Sequence, residues 1–362
     1  MITKLNDLFD QEQLRTIGEA PLYMGNRHPT WFPLFYNKRG IDFSTNISVR
    51  KICREQRGEN WLRDLTPKLL DYKDINNASS ALAEIRAYGG LLAAGFKVAP
   101  IPRKDDSTPD FNISGSQGEM TVEVFSKHQD KQQDHLLFAA HSRTIPSPQG
   151  VELNSRVYNN TIVDTAIIEL TPAGRPDPNK LGDSVQSNMI SRVCSIKQNE
   201  RQIPEDRPAL LIMDFCNFGG PHVAEFLKSG QAAPIECGQL GITSGSFWYA
   251  MYGWKDAPIF EEGRKVVKMA HEGRFRQVAE KKSKLSAALL VLSEHVILFE
   301  NPWATHRLPM ETRMQLCRYP CFDMLPSIAD WNLGDAENLV AIQRRMIESM
   351  AGNYSLLNYP YE

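Results

Sequence analysis

Apolar residues in this chain recur in two patterns, at helical spacing in some stretches and at every second or every position in others. Asn76 and Asn77 are good helix caps. Ala81-Leu82-Ala83-Glu84-Ile85-Arg86-Ala87-Tyr88 favours helix, with Leu82, Ile85, Tyr88 and Leu92 near helical spacing and Gly95 as the stop. Phe96 to Ile101 is a short apolar run closed by Pro100 and Pro102, and the charged loop Arg103 to Asp106 follows. A hairpin comes next: Asp110-Phe111-Asn112-Ile113 alternates, Ser114 to Gly118 turns, and Met120 to Phe125 alternates again. Pairing across that turn sets Asp110 opposite Glu123, with both directed to one face of a sheet beneath the Glu84 helix.

The pattern continues on both sides. Upstream it predicts helix over Leu5 to Ile17 and Ile52 to Leu70, around an aromatic stretch, Trp31 to Tyr36. Downstream it predicts a strand over Val163 to Leu170, a helix over Met189 to Gln202, and a buried strand, Ala209 to Phe215. Phe260 to Lys284 reads as helix interrupted near Gly273. Ala287 to Leu292 and His295 to Phe299 read as strands hinged at Ser293-Glu294 that extend the same sheet, and Asp335 to Met350 reads as an amphipathic helix. A polar insertion, Gln129 to Asn160, is broken by Pro146, Pro148 and Gly150 and reads as a long loop.

Glu84, Asp110 and Glu123, if brought together, make a hard, oxygen-rich pocket of the kind magnesium prefers. Singly, each has an ordinary role: a solvated helix residue, a turn residue after proline, an exposed strand residue. The ordered set, with a hairpin between its second and third members, points to metal chemistry. On these residues the sequence resembles the PD-(D/E)xK (restriction-endonuclease-like) nuclease superfamily. Glu84 matches the helix acid, Pro109-Asp110-Phe111 the "PD" element, and Val122-Glu123-Val124 the second acid, within a stretch from about residue 77 to 215. The resemblance implies a core of helix, acid-bearing strand pair, crossover helix and further strand. It also implies hydrolysis of a phosphodiester with Mg2+ or Mn2+. Asp110 and Glu123 would hold one or two ions, joined by the Val124 carbonyl, and Glu84 would ligate a second ion or a bound water.

In the superfamily a lysine two residues after the second acid orients the attacking water and stabilises charge building on the phosphate. That place holds Phe125. Lys127, the next candidate on the same strand face, starts about 13 Å from Glu123 rather than about 7 Å, unless a bulge at Phe125 or Ser126 shortens the gap. Lys197, on the following predicted helix, is a second candidate. With neither, the chain would be a non-cleaving relative that binds nucleic acid or a protein.

Composition bounds the rest. A chain of 362 residues, 42% hydrophobic and 23% charged, can bury a large core, and its net charge of −2 does not select a partner. No apolar run is long enough to cross a bilayer and no basic-then-apolar leader precedes Gln11, so a cytoplasmic location is the expectation. Six scattered cysteines suggest reduced thiols. Cys317 and Cys321 could give two zinc ligands, but no second pair accompanies them. Basic stretches at Arg264 to Lys268 and Arg274 to Lys284 are a nucleic-acid groove or a solvated helix face. The aromatics of Ser246 to Trp254 read as core ahead of base-stacking residues. His128, His135 and His141 sit in the polar insertion, and Pro176-Asp177 is a second "PD" blocked by Pro178.

Together these readings predict an α/β fold with a mixed central sheet flanked by helices. A helical N-terminal addition would span 1–76, the restriction-endonuclease-like core 77–230, and an α/β extension 231–362. The expected partner is nucleic acid, DNA ahead of RNA, with no membrane, and with a homodimer or protein partner left open. Restriction or anti-phage defence is what the superfamily resemblance implies about setting.

Overall fold

The computed structural model describes residues 2–22, 27–36, 40–102, 108–115, 118–126, 151–158, 161–168, 190–191, 193–196, 202–216, 236–237, 242–243, 246–259, 267–276 and 283–324. Lys127, Lys197, the three insertion histidines, Pro176-Asp177 and the predicted helix from Asp335 to Met350 lie outside them.

The helices of the N-terminal third come first: a 3₁₀ turn (Leu5–Leu8), α1 (Gln11–Glu19), α2 (Trp31–Phe35), α3 (Gly40–Ile52), α4 (Gly58–Leu69) and α5 (Ile75–Ala93). Asp10 and Gln13 close a reciprocal capping box on α1. Asp74 caps α5, accepting from the Asn76 amide at 3.0 Å. At its other end Gly95 takes φ +92°, so that the Phe96 amide reaches the Leu91 carbonyl and the Gly95 amide that of Leu92, the paired bonds of a Schellman ending.

A six-stranded mixed sheet is the centre of the molecule. Its strands are β1 (Lys97–Pro100), β2 (Phe111–Gly115), β3 (Gly118–Ser126), β6 (Ala209–Asp214), β11 (Ala287–Val291) and β12 (Val296–Glu300), side by side in that order. The first three form an antiparallel meander, β6 runs parallel to β3, β11 parallel to β6, and β12 returns antiparallel. Short two-stranded ladders, β4 (Val151–Tyr158) with β5 (Thr161–Ile168), β7 (Glu236–Cys237) with β8 (Ile242–Thr243), and β9 (Pro258–Ile259) with β10 (Val267–Lys268), are separate from it. The remaining described helices are α6 (Ser246–Tyr252) and α7 (Met310–Leu316).

Parallel neighbours require crossovers, and the chain between β3 and β6 is helical at residues 190–191 and 193–195. Alternation along the strands divides the core in two. Phe111, Val122, Leu210, Ile212 and Leu289 pack with α5 and the other N-terminal helices. Leu211, Met213, Ala288 and Leu290 pack with Ile190, Val193 and α6 on the opposite face. Leu5, Ile17, Ile52 and Leu65 belong to the first of these clusters, so the N-terminal helices share the core of the sheet.

Five expectations are corrected. The predicted helix over Leu5 to Ile17 is a 3₁₀ turn and α1, parted at Phe9-Asp10 where Asp10 caps α1, and α5 is capped by Asp74 instead of Asn76 or Asn77, which lie inside it. The single helix over Ile52 to Leu70 is two, broken where Arg57 takes φ 65°, and a Cβ on Gly58 would lie 1.8 Å from the Ile52 carbonyl oxygen. Ile52, Leu62, Leu65 and Leu69 all face one core, and periodicity registers the shared face without the bend. In the stretch from Phe260 to Lys284, the described residues are not helical. Val267–Lys268 pairs with Pro258–Ile259, and the amides of Gly273, Arg274 and Phe275 bond the carbonyls of Gly253, Ala250 and Met251, satisfying the end of α6 instead of building a helix. The strand predicted over Val163 to Leu170 forms as β5 but stays out of the central sheet. Its partner, β4, lies within the predicted loop from Gln129 to Asn160, and the register from Tyr158 to Thr161 leaves a two-residue Asn159-Asn160 connection.

α5 is held from two sides. A Cβ on Gly89 would lie 2.1 Å from the Ser48 Cβ, so glycine lets α3 and α5 approach backbone to side chain. Arg86, with its side chain 1% exposed, donates to both oxygens of Asp214 at the end of β6, at 2.6 and 2.9 Å. We expect Gly89→Ala to lower stability by about 1–3 kcal/mol through overpacking, measured by urea unfolding. Removing one partner of the ion pair, as in Arg86→Ala or Asp214→Ala, strands a buried charge and should cost about 3–5 kcal/mol. Arg86→Met combined with Asp214→Leu should cost less than either single change; a double variant as unstable as the two losses summed would contradict that account.

Candidate functional site

The β2–β3 hairpin forms with Phe111 opposite Val122 and Gly115 opposite Gly118, but the predicted opposition of Asp110 to Glu123 beneath the Glu84 helix is not realised. One residue beyond β2, Asp110 donates its amide to the Val122 carbonyl at 3.1 Å, so Asp110 and Phe111 both meet one residue of β3. This two-against-one arrangement is that of a β-bulge, and bulges re-aim side chains. The Asp110 carboxylate turns along β3 and accepts from the Val124 amide at 2.8 Å. The carbonyl of Asp110 takes the Ile101 amide at 2.9 Å. β3 runs in unbroken register with β6 through Phe125 and Ser126, the alternative positions for a bulge, and the deviation lies at Asp110 on the neighbouring strand.

Glu123 is 5% exposed in the middle of β3, opposite Leu211 of β6. Val122 and Val124 pack towards α5, whereas Phe125 packs against the cluster on the other side, so alternation assigns Glu123 to the face away from α5. A carboxylate buried to this degree is retained where hydrogen bonds or a cation compensate its lost hydration. Glu84 lies on α5, and its carboxylate is 3.7 Å from the Lys68 ammonium of α4. The hairpin thus brings Asp110 and Glu123 to adjoining positions on neighbouring strands, and Glu84 belongs to the layer on the other side of the sheet. Among the described residues no group of three or more His, Cys, Asp or Glu side chains is placed to hold a metal ion.

The donor chemistry of Asp110 and Glu123 suits a hard cation. Each carboxylate offers about four lone-pair sites on two oxygens, and the Val124 amide uses one of those on Asp110. The peptide bond at Val124 places its amide on Asp110 and runs directly on from Glu123, so one strand segment orients both acids. Gln202 reaches the same region, its side-chain nitrogen 3.5 Å from the Thr108 carbonyl two residues before Asp110.

The structure also shows a charged element that motif reading passes over. The Arg86–Asp214 pair lies at the C-terminal ends of the parallel strands, where Ser126 is level with Asp214 and Asp214 with Val291. Asp214 also takes the Cys216 amide at 3.0 Å, and the Tyr319 hydroxyl donates to the Arg86 carbonyl at 2.8 Å. Burial pushes the Tyr319 phenol well above its ordinary range, which keeps it a donor. Its sequence signal was a lone arginine inside the apolar run from Ala81 to Tyr88, and an aspartate closing the apolar run from Ala209.

Other candidates resolve as structural. Phe247, Trp248, Tyr249 and Tyr252 are fully buried, the core role expected of them. Of the basic stretch from Arg274 to Lys284, Arg274 is completely buried with its Nε 2.6 Å from the Ile196 carbonyl. Arg276 covers the Trp303 ring, and Lys284 pairs with Glu205 at 2.9 Å. The described residues there are not helical, so these three do not form a solvated helix face. Cys53, Cys194, Cys216, Cys317 and Cys321 form no disulfide among the described residues, and burial pushes the Cys194 thiol up to about 12. No described helix is long and apolar enough to cross a membrane. Comparison of the chain with protein-family models, with curated proteins and with solved structures finds no match.

Metal binding at the two acids has a readout independent of activity. Magnesium or manganese at about 100 times its dissociation constant should stabilise the folded chain by about 2.7 kcal/mol. Asp110→Asn and Glu123→Gln, which preserve shape and remove charge, should abolish that gain in a thermal melt. A wild-type melting curve that neither ion moves would argue against a cation at this hairpin.

Proposed function

We propose that this chain is a divalent-metal phosphodiesterase acting on nucleic acid, DNA ahead of RNA, with the ion held by Asp110 and Glu123. The observation that carries the reading is the pairing of order with register. α5 precedes the acid-bearing pair β2–β3, a partly helical crossover follows, and β6 returns parallel to β3. That is the element order implied by the superfamily resemblance, and it supports a restriction-endonuclease-like core as the finer reading of this α/β fold.

Asp110 and Glu123 bind the ion, and the Val124 amide fixes the Asp110 carboxylate. When bound, magnesium or manganese neutralises phosphate charge and makes its coordinated water more acidic. Glu84, in the layer on the other side of the sheet from Glu123 and beside Lys68, has no part in holding this ion. Lys127 follows β3 directly, and its role is to orient the attacking water and balance charge on the phosphate oxygens.

One observation favours a second reading. Phe125 occupies the usual lysine place and packs against the apolar cluster there. A chain that keeps this scaffold without a lysine would grip nucleic acid or a protein partner and cut nothing. Restriction or anti-phage defence, and action as a homodimer, are settings compatible with either reading.

The discriminating experiment incubates purified protein with supercoiled plasmid, linear duplex, single strands and RNA, in magnesium, manganese or chelator. The expected result is metal-dependent cleavage reduced more than about a hundredfold in Asp110→Ala and Glu123→Ala, beyond the loss typical of residues that only orient ligands. Lys127→Ala should lower the rate without loss of metal-induced stabilisation. Equal cleavage by wild type and both acid variants would remove the proposed site, and binding without cleavage would establish the second reading.

A further inference from the structure

The segment around α2 combines exposed aromatic rings with positive charge. From Ala20 to Ile41 the sequence has Arg27, Lys38 and Arg39 and no Asp or Glu, although Lys38 and Arg39 lie outside the described residues. Within the described part, Phe35 is 44% and Tyr36 57% exposed. The Trp31 ring lies 5.7 Å from that of Phe35, and the Arg27 guanidinium covers Trp31 at 4.9 Å from the ring centroid. Tyr72, 39% exposed, extends this surface through a ring contact with His28 at 4.9 Å.

The support beneath the rings is fixed. The Thr30 hydroxyl donates to the Leu69 carbonyl at 2.8 Å, the Trp31 amide to the His28 carbonyl at 2.8 Å, and a His28 ring nitrogen lies 3.2 Å from the Asp71 carbonyl. Asp71 is a nearby anion, but its carboxylate is taken by the Lys73 and Asp74 amides and the Asn77 side chain. The start of α2 and the Trp31 ring that Phe35 contacts are thus anchored before any ligand arrives, which lowers the ordering cost of binding.

From this juxtaposition we infer that the α2 surface, through Phe35, Tyr36 and Arg27, binds single-stranded nucleic acid by stacking unpaired bases on its rings. Aromatic faces accept any base, and the Arg27 guanidinium beside them offers a cation to the phosphates. A duplex keeps its bases stacked on one another and cannot use the rings. The inference goes beyond the phosphodiesterase reading and stands without it, because it concerns binding and not cleavage.

The test is fluorescence anisotropy of labelled oligothymidylate with the full chain in chelator, at fixed salt, with thermal melts confirming that each variant folds. Phe35→Ala and Tyr36→Ala should each weaken binding about fivefold to a hundredfold. Tyr36→Phe should bind as wild type, and Arg27→Ala should both weaken binding and flatten its salt dependence. Absence of wild-type binding, unchanged affinity in Phe35→Ala and Tyr36→Ala, or equal affinity for duplex would overturn the inference. Tight single-strand binding by a chain that never cleaves in magnesium would uphold it and overturn the nuclease reading.

Discussion

The contact between Arg86 and Asp214 is the constraint around which this architecture is arranged. Both side chains are 1% exposed, and they meet through two hydrogen bonds across 128 residues of sequence. Ions this deep have lost their water, so each is tolerable only while the other is held in bidentate geometry. Helix α5 must therefore lie over the sheet with Arg86 above the end of β6, and β6 must bring Asp214 level with Ser126 of β3 and Val291 of β11. Tyr319 adds a third participant by bonding the Arg86 carbonyl, which ties residues after α7 to the same point. The apolar contacts of the core are interchangeable in kind; this one is specific in partner and direction.

The hairpin bearing Asp110 and Glu123 is positioned by that frame. β3 lies between β2 and β6, so its middle residues are covered on both edges by strands and on both faces by helical layers. Burial of Glu123 follows from this central place. Asp110 sits at the margin, where the meander ends, and the bulge there lets its carboxylate fold back onto the Val124 amide. One acid is thus held by the sheet and the other by a local break in its pairing.

Much of this organisation was legible in residue order. The stop at Gly95, the turn between β2 and β3, and the runs Ala209 to Met213 and Ala287 to Val291 follow from local chemistry and spacing. The local errors share one cause. Ile52 and Leu62 share a buried face although the chain bends between them, and the amides of residues 273–275 close off α6 although their sequence is compatible with helix. Periodicity reports which side of an element is apolar, and it does not report where the backbone's hydrogen bonds go. Glu84 illustrates the same limit for the site. Its spacing from Asp110 and Glu123 suits a metal-binding trio, but spacing cannot say which face of a sheet a helix will cover.

The sequence by itself determined the α/β character and the hairpin that sets Asp110 and Glu123 on neighbouring strands. Those depend on interactions within a turn, a helix end or a hairpin, where partners are neighbours along the chain. Only the tertiary structure decided that Arg86 neutralises Asp214, that Phe35 and Tyr36 face solvent, and that Glu84 and Glu123 belong to opposite sides of the sheet. The physical reason is that burial and charge pairing are settled between elements far apart in sequence. Their energies are fixed by how whole layers pack, and no window of neighbouring residues contains that information.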